Sequence, residues 1–317
     1  DLKSKLNGNN HSIIINDIGT DASFAGIFNK VSISATIENL NVFGMADKGE
    51  AVLVGTNNGL INNVHVFGVR NGASATENGI MVGVNQGKIS RSSVYGRSDI
   101  FTNFGAVAGV NKNQIIKTKS LVSLNDTTSS SVSNLGGLVG HNDAAGLILE
   151  SKALSLIDIS ASSGAFSVGG LVGVNDGVVS NTYVELGSEI ALPSSLGDIG
   201  GLVGINNGQV KNSYSMNKMF TYSVAPLSVG GMIGSTGGSS SEIGSYYALE
   251  PLLYLASDSG LTGSCPVSCT IWSYSDPGFD DTHDGNIFLH ESISGEVDYL
   301  RVTTGTGATS SLNLNFD

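Results

Sequence analysis

A string of the form Gly-apolar-apolar-Gly, followed closely by Asn, recurs along this chain at intervals near thirty residues. The copies are AVLVGTNNGLINN from Ala51, GIMVGVNQGKISR from Gly79, GAVAGVNKNQIIK from Gly105, GGLVGHNDAAGLI from Gly136, GGLVGVNDGVVSN from Gly169, GGLVGINNGQVKN from Gly200 and GGMIGSTGGSSSE from Gly230. Taking Gly55, Gly83, Gly109, Gly140, Gly173, Gly204 and Gly234 as markers, the spacings are 28, 26, 31, 33, 31 and 30 residues. A degenerate copy, AGIFNKVSISATIENL, begins at Ala25. Self-similarity at a fixed period means that each unit buries its apolar surface against its neighbours, which is the logic of a solenoid.

Each column of the repeat has a physical reason. Two residues before the marker stand Leu53, Met81, Val107, Leu138, Leu171, Leu202 and Met232, large and apolar throughout, as an internal stack requires. Two residues after it stand Asn57, Asn85, Asn111, Asn142, Asn175 and Asn206. Asn tolerates a left-handed backbone and hydrogen-bonds its own turn, so the column predicts an Asn ladder at a corner. Gly59, Gly87, Gly177 and Gly208 follow, where a positive φ costs little. A second strand then opens at Ile61, Ile89, Ile115, Val179 and Val210, often ending polar–Ser–Tyr as in NSYS from Asn212. Strand–turn–strand content at this period fits one coil of a parallel β-helix. The third side absorbs length changes, as in SLNDTTSSSVSN from Ser123 and ELGSEIALPSSLGD from Glu185.

The composition agrees. Charged residues make up 13% of the chain and Gly 43 of its 317 residues. A mean hydropathy of +0.13 separates it from charge-rich disordered chains. The expected fold is all-β: a right-handed parallel β-helix of about eight coils over residues 1–247, with a small, mostly β, acidic module over 248–317.

The closest copies, Gly137-Leu138-Val139-Gly140, Gly170-Leu171-Val172-Gly173 and Gly201-Leu202-Val203-Gly204, resemble the GLUG motif. The stretch LNGNNHSIIINDI from Leu6, then AGIF and ATIENLNVFG, also resembles the start of such arrays, so the likeness spans about residues 6–247. GLUG arrays belong to bacterial surface adhesins, to large secreted proteins and to the stalks of immunoglobulin A-cleaving metallopeptidases. The resemblance implies a non-catalytic extracellular stalk or display platform at the bacterial surface. It implies no catalysis, because in the peptidases that activity resides in a separate zinc domain.

Charge distribution narrows the partners. Residues 1–219 carry 14 Lys/Arg and 16 Asp/Glu, whereas 220–317 carry Arg301 alone against 11 carboxylates. Without a basic stripe, nucleic acid is not an expected partner. No run of 18 apolar residues exists, so no membrane insertion is expected. The expected partners are other copies of the chain, or a host or cell-surface protein or glycan. A filament of head-to-tail coils is an alternative, with the C-terminal SSLNLNF, alternating Leu312, Leu314 and Phe316, as a linking strand.

A search for chemistry returns few groups. His290-Glu291 lacks the second His of a zinc-peptidase helix, and no nucleophile elbow or phosphate loop occurs. A third reading, a glycan-active β-helix, would need clustered carboxylates. Asp143 and Asp176 sit one repeat apart beside the Asn column, and solvated turn residues are the plainer account of them. Cys265 and Cys269, in CPVSC, are expected to bond to each other in an oxidising compartment. Asp280, Thr282, Asp284, Asn286 and Glu291 align with a calcium-binding loop, Gly285 falling at its sharp turn. Thr282 departs from that pattern, and neither flank reads as a helix, so an acidic surface loop stands beside calcium binding. Trp272, Tyr274 and Phe279 read as a small local core.

Overall fold

A computed structural model describes residues 1–15, 25–47, 49–71, 76–99, 102–126, 133–159, 166–185, 187–192, 197–221, 228–237, 240–243 and 246–248. It also describes the short strands Tyr254–Leu255, Thr270–Trp272, Val302–Thr303 and Asn313–Leu314. Among the described residues every regular element is a strand, and no helix is long and apolar enough to cross a membrane.

The strands wind into a β-solenoid of parallel sheets. One coil runs from a short strand such as Asn134–Gly136, through a tight bend at Gly137-Leu138, into Val139–Asn142. The chain then turns into Leu147–Leu149 and Lys152–Ile159 before rising to the next coil. Stacking makes three faces. The short face has six strands, from Asn78–Gly79 to Ser228–Gly230. The ladder face has eight, from Phe28–Val31 to Ile233–Thr236. The broad face has 19, starting with the 11-residue strands Lys5–Ile15, Thr36–Ala46 and Leu60–Arg70, while Val302–Thr303 and Asn313–Leu314 pair antiparallel in a separate two-stranded sheet. Among the described residues complete three-sided turns thus number six rather than eight, because the first two rungs of the ladder face have no described strand on the short face. Tyr254–Leu255 and Thr270–Trp272 add further parallel pairings to the broad face.

The apolar columns stack inside, as the repeat predicts. Leu138 N donates to Leu171 O at 2.9 Å and Leu171 N to Leu202 O at 3.0 Å. These leucines, with Leu53, Met81 and Val107, are fully buried, as are Ile61, Ile89, Ile115, Val179 and Val210 on the opposing strands. Two glycine columns permit the tight bend between the short and ladder faces. A Cβ on Gly136 would lie 2.0 Å from Val139 O, and one on Gly140 would lie 2.7 Å from the carbonyl carbon of Asn103 in the preceding coil.

Two of the predicted backbone assignments are corrected. The ladder asparagines do stack at a corner, but none has a positive φ. Seven left-handed residues instead mark a different corner, the bend within the broad face: Asn39, Asn63, Arg91, Lys117, Glu150, Asn181 and Asn212, with φ between 47° and 53°. Likewise the Gly59 column does not serve a positive φ. Coil-to-coil contact demands it, because a Cβ on Gly87 would lie 2.1 Å from Gly59 O.

Immediately after Arg91, Lys117, Glu150, Asn181 and Asn212, the residues Ser92, Thr118, Ser151, Thr182 and Ser213 form a buried hydroxyl column. Each hydroxyl is hydrogen-bonded, as where Ser151 Oγ donates to Leu149 O at 2.7 Å and accepts from Thr118 N at 3.2 Å. This column is the Ser of the polar–Ser–Tyr ending seen in the sequence.

Candidate functional surface on the broad face

The carboxylates suggested by the sequence do not form an acid pair. Asp143 lies 3.9 Å from Lys112 Nζ and accepts from its neighbour Ala144 N at 2.6 Å. Asp176 faces His141 Nε2 at 2.7 Å and accepts from Asn207 Nδ2 at 2.7 Å. Burial pushes the Asp176 carboxyl up, but the hydrogen bonds from Asn207 and His141 and the charge of His141 hold it below the ordinary carboxylate value. Each acid has its own partner and its own turn, so the two are not placed to share a proton. Among the described residues no three His, Cys, Asp or Glu side chains come together as a metal site. Cys265 and Cys269, the loop residues Asp280, Thr282, Asp284, Asn286 and Glu291, and the aromatic residues Tyr274 and Phe279 lie outside the described residues.

The outer side of the broad face carries a feature the sequence reading missed. Parallel register places Ile14, Phe43, Phe67, Tyr95, Leu121 and Leu154 in one outward column across six successive strands. Phe43 and Phe67 remain 39% and 37% exposed, and Ile14 74%. The rings are stacked: centroids are 4.6 Å apart for Phe43–Phe67 and 5.0 Å for Phe67–Tyr95, with planes within 6° and 11° of parallel. Stacking covers the ring faces and presents their edges, which carry the positive side of the ring quadrupole. The available signal was the string Val-aromatic-Gly in VFG, VFG and VYG, at Val42, Val66 and Val94.

Cations flank this column. Lys119 Nζ sits 5.7 Å from the Tyr95 ring centroid, and burial, then Lys119, pulls the His65 imidazole below its ordinary pKa. Further along, Tyr183 stacks on Tyr214 at 4.9 Å, and Lys152 lies over Tyr183 while holding Glu185 at 2.5 Å. The Tyr214 hydroxyl is pushed up strongly by burial and by Glu185.

A buried guanidinium braces the same end. Strand parity places Arg70 inward with Val64, Val66 and Gly68. It donates to Ala46 O at 3.0 Å and to Asn78 Oδ1 at 2.9 Å, and its Nε has no partner. Burial draws its pKa down to about 10 against the pull of Asp99, Asp47 and Glu50. The Glu50 carboxyl is in turn raised by burial and by Glu77, with Arg70 opposing.

Where the broad face turns toward the short face, a cavity of about 310 Å³ opens between coils. Asn71, Arg97, Ser98, Asp99, Ser123 and Asn125 line it. Comparison of the chain with protein-family models, with curated proteins and with solved structures finds no match.

Proposed function

We propose that this chain is a non-catalytic, extracellular structural and adhesive β-solenoid, the stalk or display region of a bacterial surface protein. The observation that carries this reading is the exposed apolar column from Ile14 to Leu154, held in line along a stack of coils. Eight rungs at about 4.8 Å give a rod of roughly 40 Å. A contiguous exposed apolar stripe on a rigid rod is suited to contact with another surface rather than to turnover. The GLUG resemblance supports the same assignment. In this reading Cys265 and Cys269 are bonded, so thiol titration of the denatured, unreduced chain finds none. The acidic loop at Asp280–Glu291 is tested for calcium by titration against a chelated control.

Beads coated with the chain should be retained on a cell or matrix surface under flow. Phe67→Ser should reduce retention while leaving the melting transition of the solenoid in place. Retention that is unchanged in Phe67→Ser would show that this column is not the contact.

The edge strand Lys5–Ile15 favours a second reading, a filament subunit. It pairs with Thr36–Ala46 along one side and has no strand on the other among the described residues. Such an edge offers a row of backbone donors and acceptors. Negative-stain microscopy of the pure chain separates short rods from filaments.

A further inference from the structure

We propose that the cavity beside the aromatic column binds an acidic saccharide, with Arg97 holding its carboxylate. This deepens the adhesive reading above by naming the ligand class.

The lining comes from three successive coils. Val69, Arg97 and Ser123 are in register, so Asn71, Asp99 and Asn125 follow two residues later on the same outer side. One guanidinium, one carboxylate, two amides and two hydroxyls converge there. Among the described residues no apolar side chain lines the cavity, which sets it apart from the mostly apolar pockets that take drug-like ligands. The Asn125 amide, the Ser123 hydroxyl and the amide oxygen of Asn71, whose Nδ2 donates to Asp47, supply the mixed donors and acceptors that adjacent sugar hydroxyls need. The apolar complement is close by: Tyr95 and Leu121 stand two residues before Arg97 and Ser123, on the same outer side. Leu121 is 47% exposed, and with Tyr95 it offers an apolar surface along the same outer side to the C–H face of a sugar ring.

The Arg97 guanidinium favours an acidic sugar. Lys5, Lys112, Lys117 and Lys152 each have a carboxylate within 4 Å. Arg97 is exposed and has no ion-pair or hydrogen-bond partner for its guanidinium among the described residues. Its planar fork matches a carboxylate in two parallel hydrogen bonds. Lys119, over the Tyr95 ring, adds a second cation on this face. Asp99 in the same cavity favours a singly charged carboxylate over a doubly charged phosphate.

Calorimetric titration of the full chain with trigalacturonate, 3′-sialyllactose and maltotriose tests this. At least one carboxylated probe should bind, which also identifies the source of the carboxylate, and neutral maltotriose should bind roughly tenfold weaker or less, the loss of one charge-assisted fork. Arg97→Gln should weaken the carboxylated probe by a similar factor with an unchanged unfolding midpoint, whereas Lys5→Gln should not. The assignment is overturned if neither carboxylated probe binds, if maltotriose binds equally well, or if Arg97→Gln binds like the parent. Bead retention scores the adhesive reading separately. Retention that survives Arg97→Gln in full overturns this site and leaves adhesion standing. Loss of retention in Arg97→Gln supports both.

Discussion

The side-chain amide of Asn142 donates to Oδ1 of Asn175 at 2.8 Å, and both residues are completely buried. The same bond, at the same length, links Asn57 to Asn85, Asn85 to Asn111, Asn111 to Asn142 and Asn175 to Asn206. Asn57, Asn111, Asn142 and Asn175 also donate to a backbone carbonyl in the turn that follows, as Asn142 does to Gly146 O at 3.2 Å, whereas Asn85 donates to Gln114 O of the next coil at 3.1 Å. One side chain therefore fixes both the coil-to-coil register and the corner between two faces.

Replacing Asn142 by Ala should be costly for that reason. It leaves Oδ1 of Asn175 without its donor and deprives Asn111 of an acceptor, and buried unsatisfied groups cost about 1–3 kcal/mol each. A loss of about 2–4 kcal/mol is expected as a lower urea midpoint at constant slope. Asn142→Asp should be worse, because a carboxylate cannot donate onward and its charge is buried. A variant within 0.5 kcal/mol of the parent, on roughly the scale of an ordinary surface change, would mean the ladder is ornamental.

The ladder stops at Asn206, whose Nδ2 is buried without a partner. The next position in register is Thr236. Thr236→Asn should supply the missing acceptor and stabilise the solenoid by about 1 kcal/mol, one net hydrogen bond. An upward shift in melting temperature checks this, and the gain should vanish when Asn206→Ala is added.

The internal columns were legible because burial enforces one residue class at one phase of the repeat. Leu138, Leu171 and Leu202 announce themselves in any alignment of the copies. The Asn column was equally visible, but its letter fits two mechanisms, a left-handed turn or a stacked amide, and only register distinguishes them. Arg91, Lys117 and Glu150 conceal the true left-handed corner, since none of them is a residue type that marks such a backbone. The outward column was hidden by the two-sided nature of its strands. In NVHVFGVR the inward Val64 and Val66 and the outward Phe67 are all apolar, so hydropathy alone gives no face. The cavity at Arg97 was further out of reach, since its lining joins residues of three coils whose pairing offset changes from 28 to 26 residues.

Acid should weaken the His141–Asp176–Asn207 contact in a defined window. The folded Asp176 carboxyl titrates below its unfolded value of about 3.9. A depressed folded pKa contributes stability that is complete above the unfolded value and is lost as pH falls through the folded one. The parent should therefore exceed Asp176→Asn in urea midpoint at pH 5 and above, and the gap should close on acidification below about pH 4. A gap that does not change with pH would show that Asp176 acts through its shape and not its charge.

Across the core, glycine on one wall accommodates bulk on the other. A Cβ on Gly68 would lie 2.4 Å from Cγ2 of Ile80, and one on Gly44 would lie 2.8 Å from Cγ1 of Val52. Further along the rod the arrangement reverses. Val122 and Ser155 occupy the broad-face position, and a Cβ on the opposing Gly137 would lie 2.8 Å from Ser155 Cβ. The volume between the walls is thus conserved while its ownership switches. Gly68→Ala should overpack the coil and cost about 1–3 kcal/mol. Ile80→Ala should leave a cavity and cost about 2–5 kcal/mol. Because Ile80→Ala removes the Cγ2 that a new methyl would strike, the double variant should be less destabilised than the two single costs combined. A coupling of about 0.5–3 kcal/mol is expected in a double-mutant cycle of urea midpoints. Strict additivity would mean that the two walls relax independently and that glycine at 68 answers to something other than Ile80.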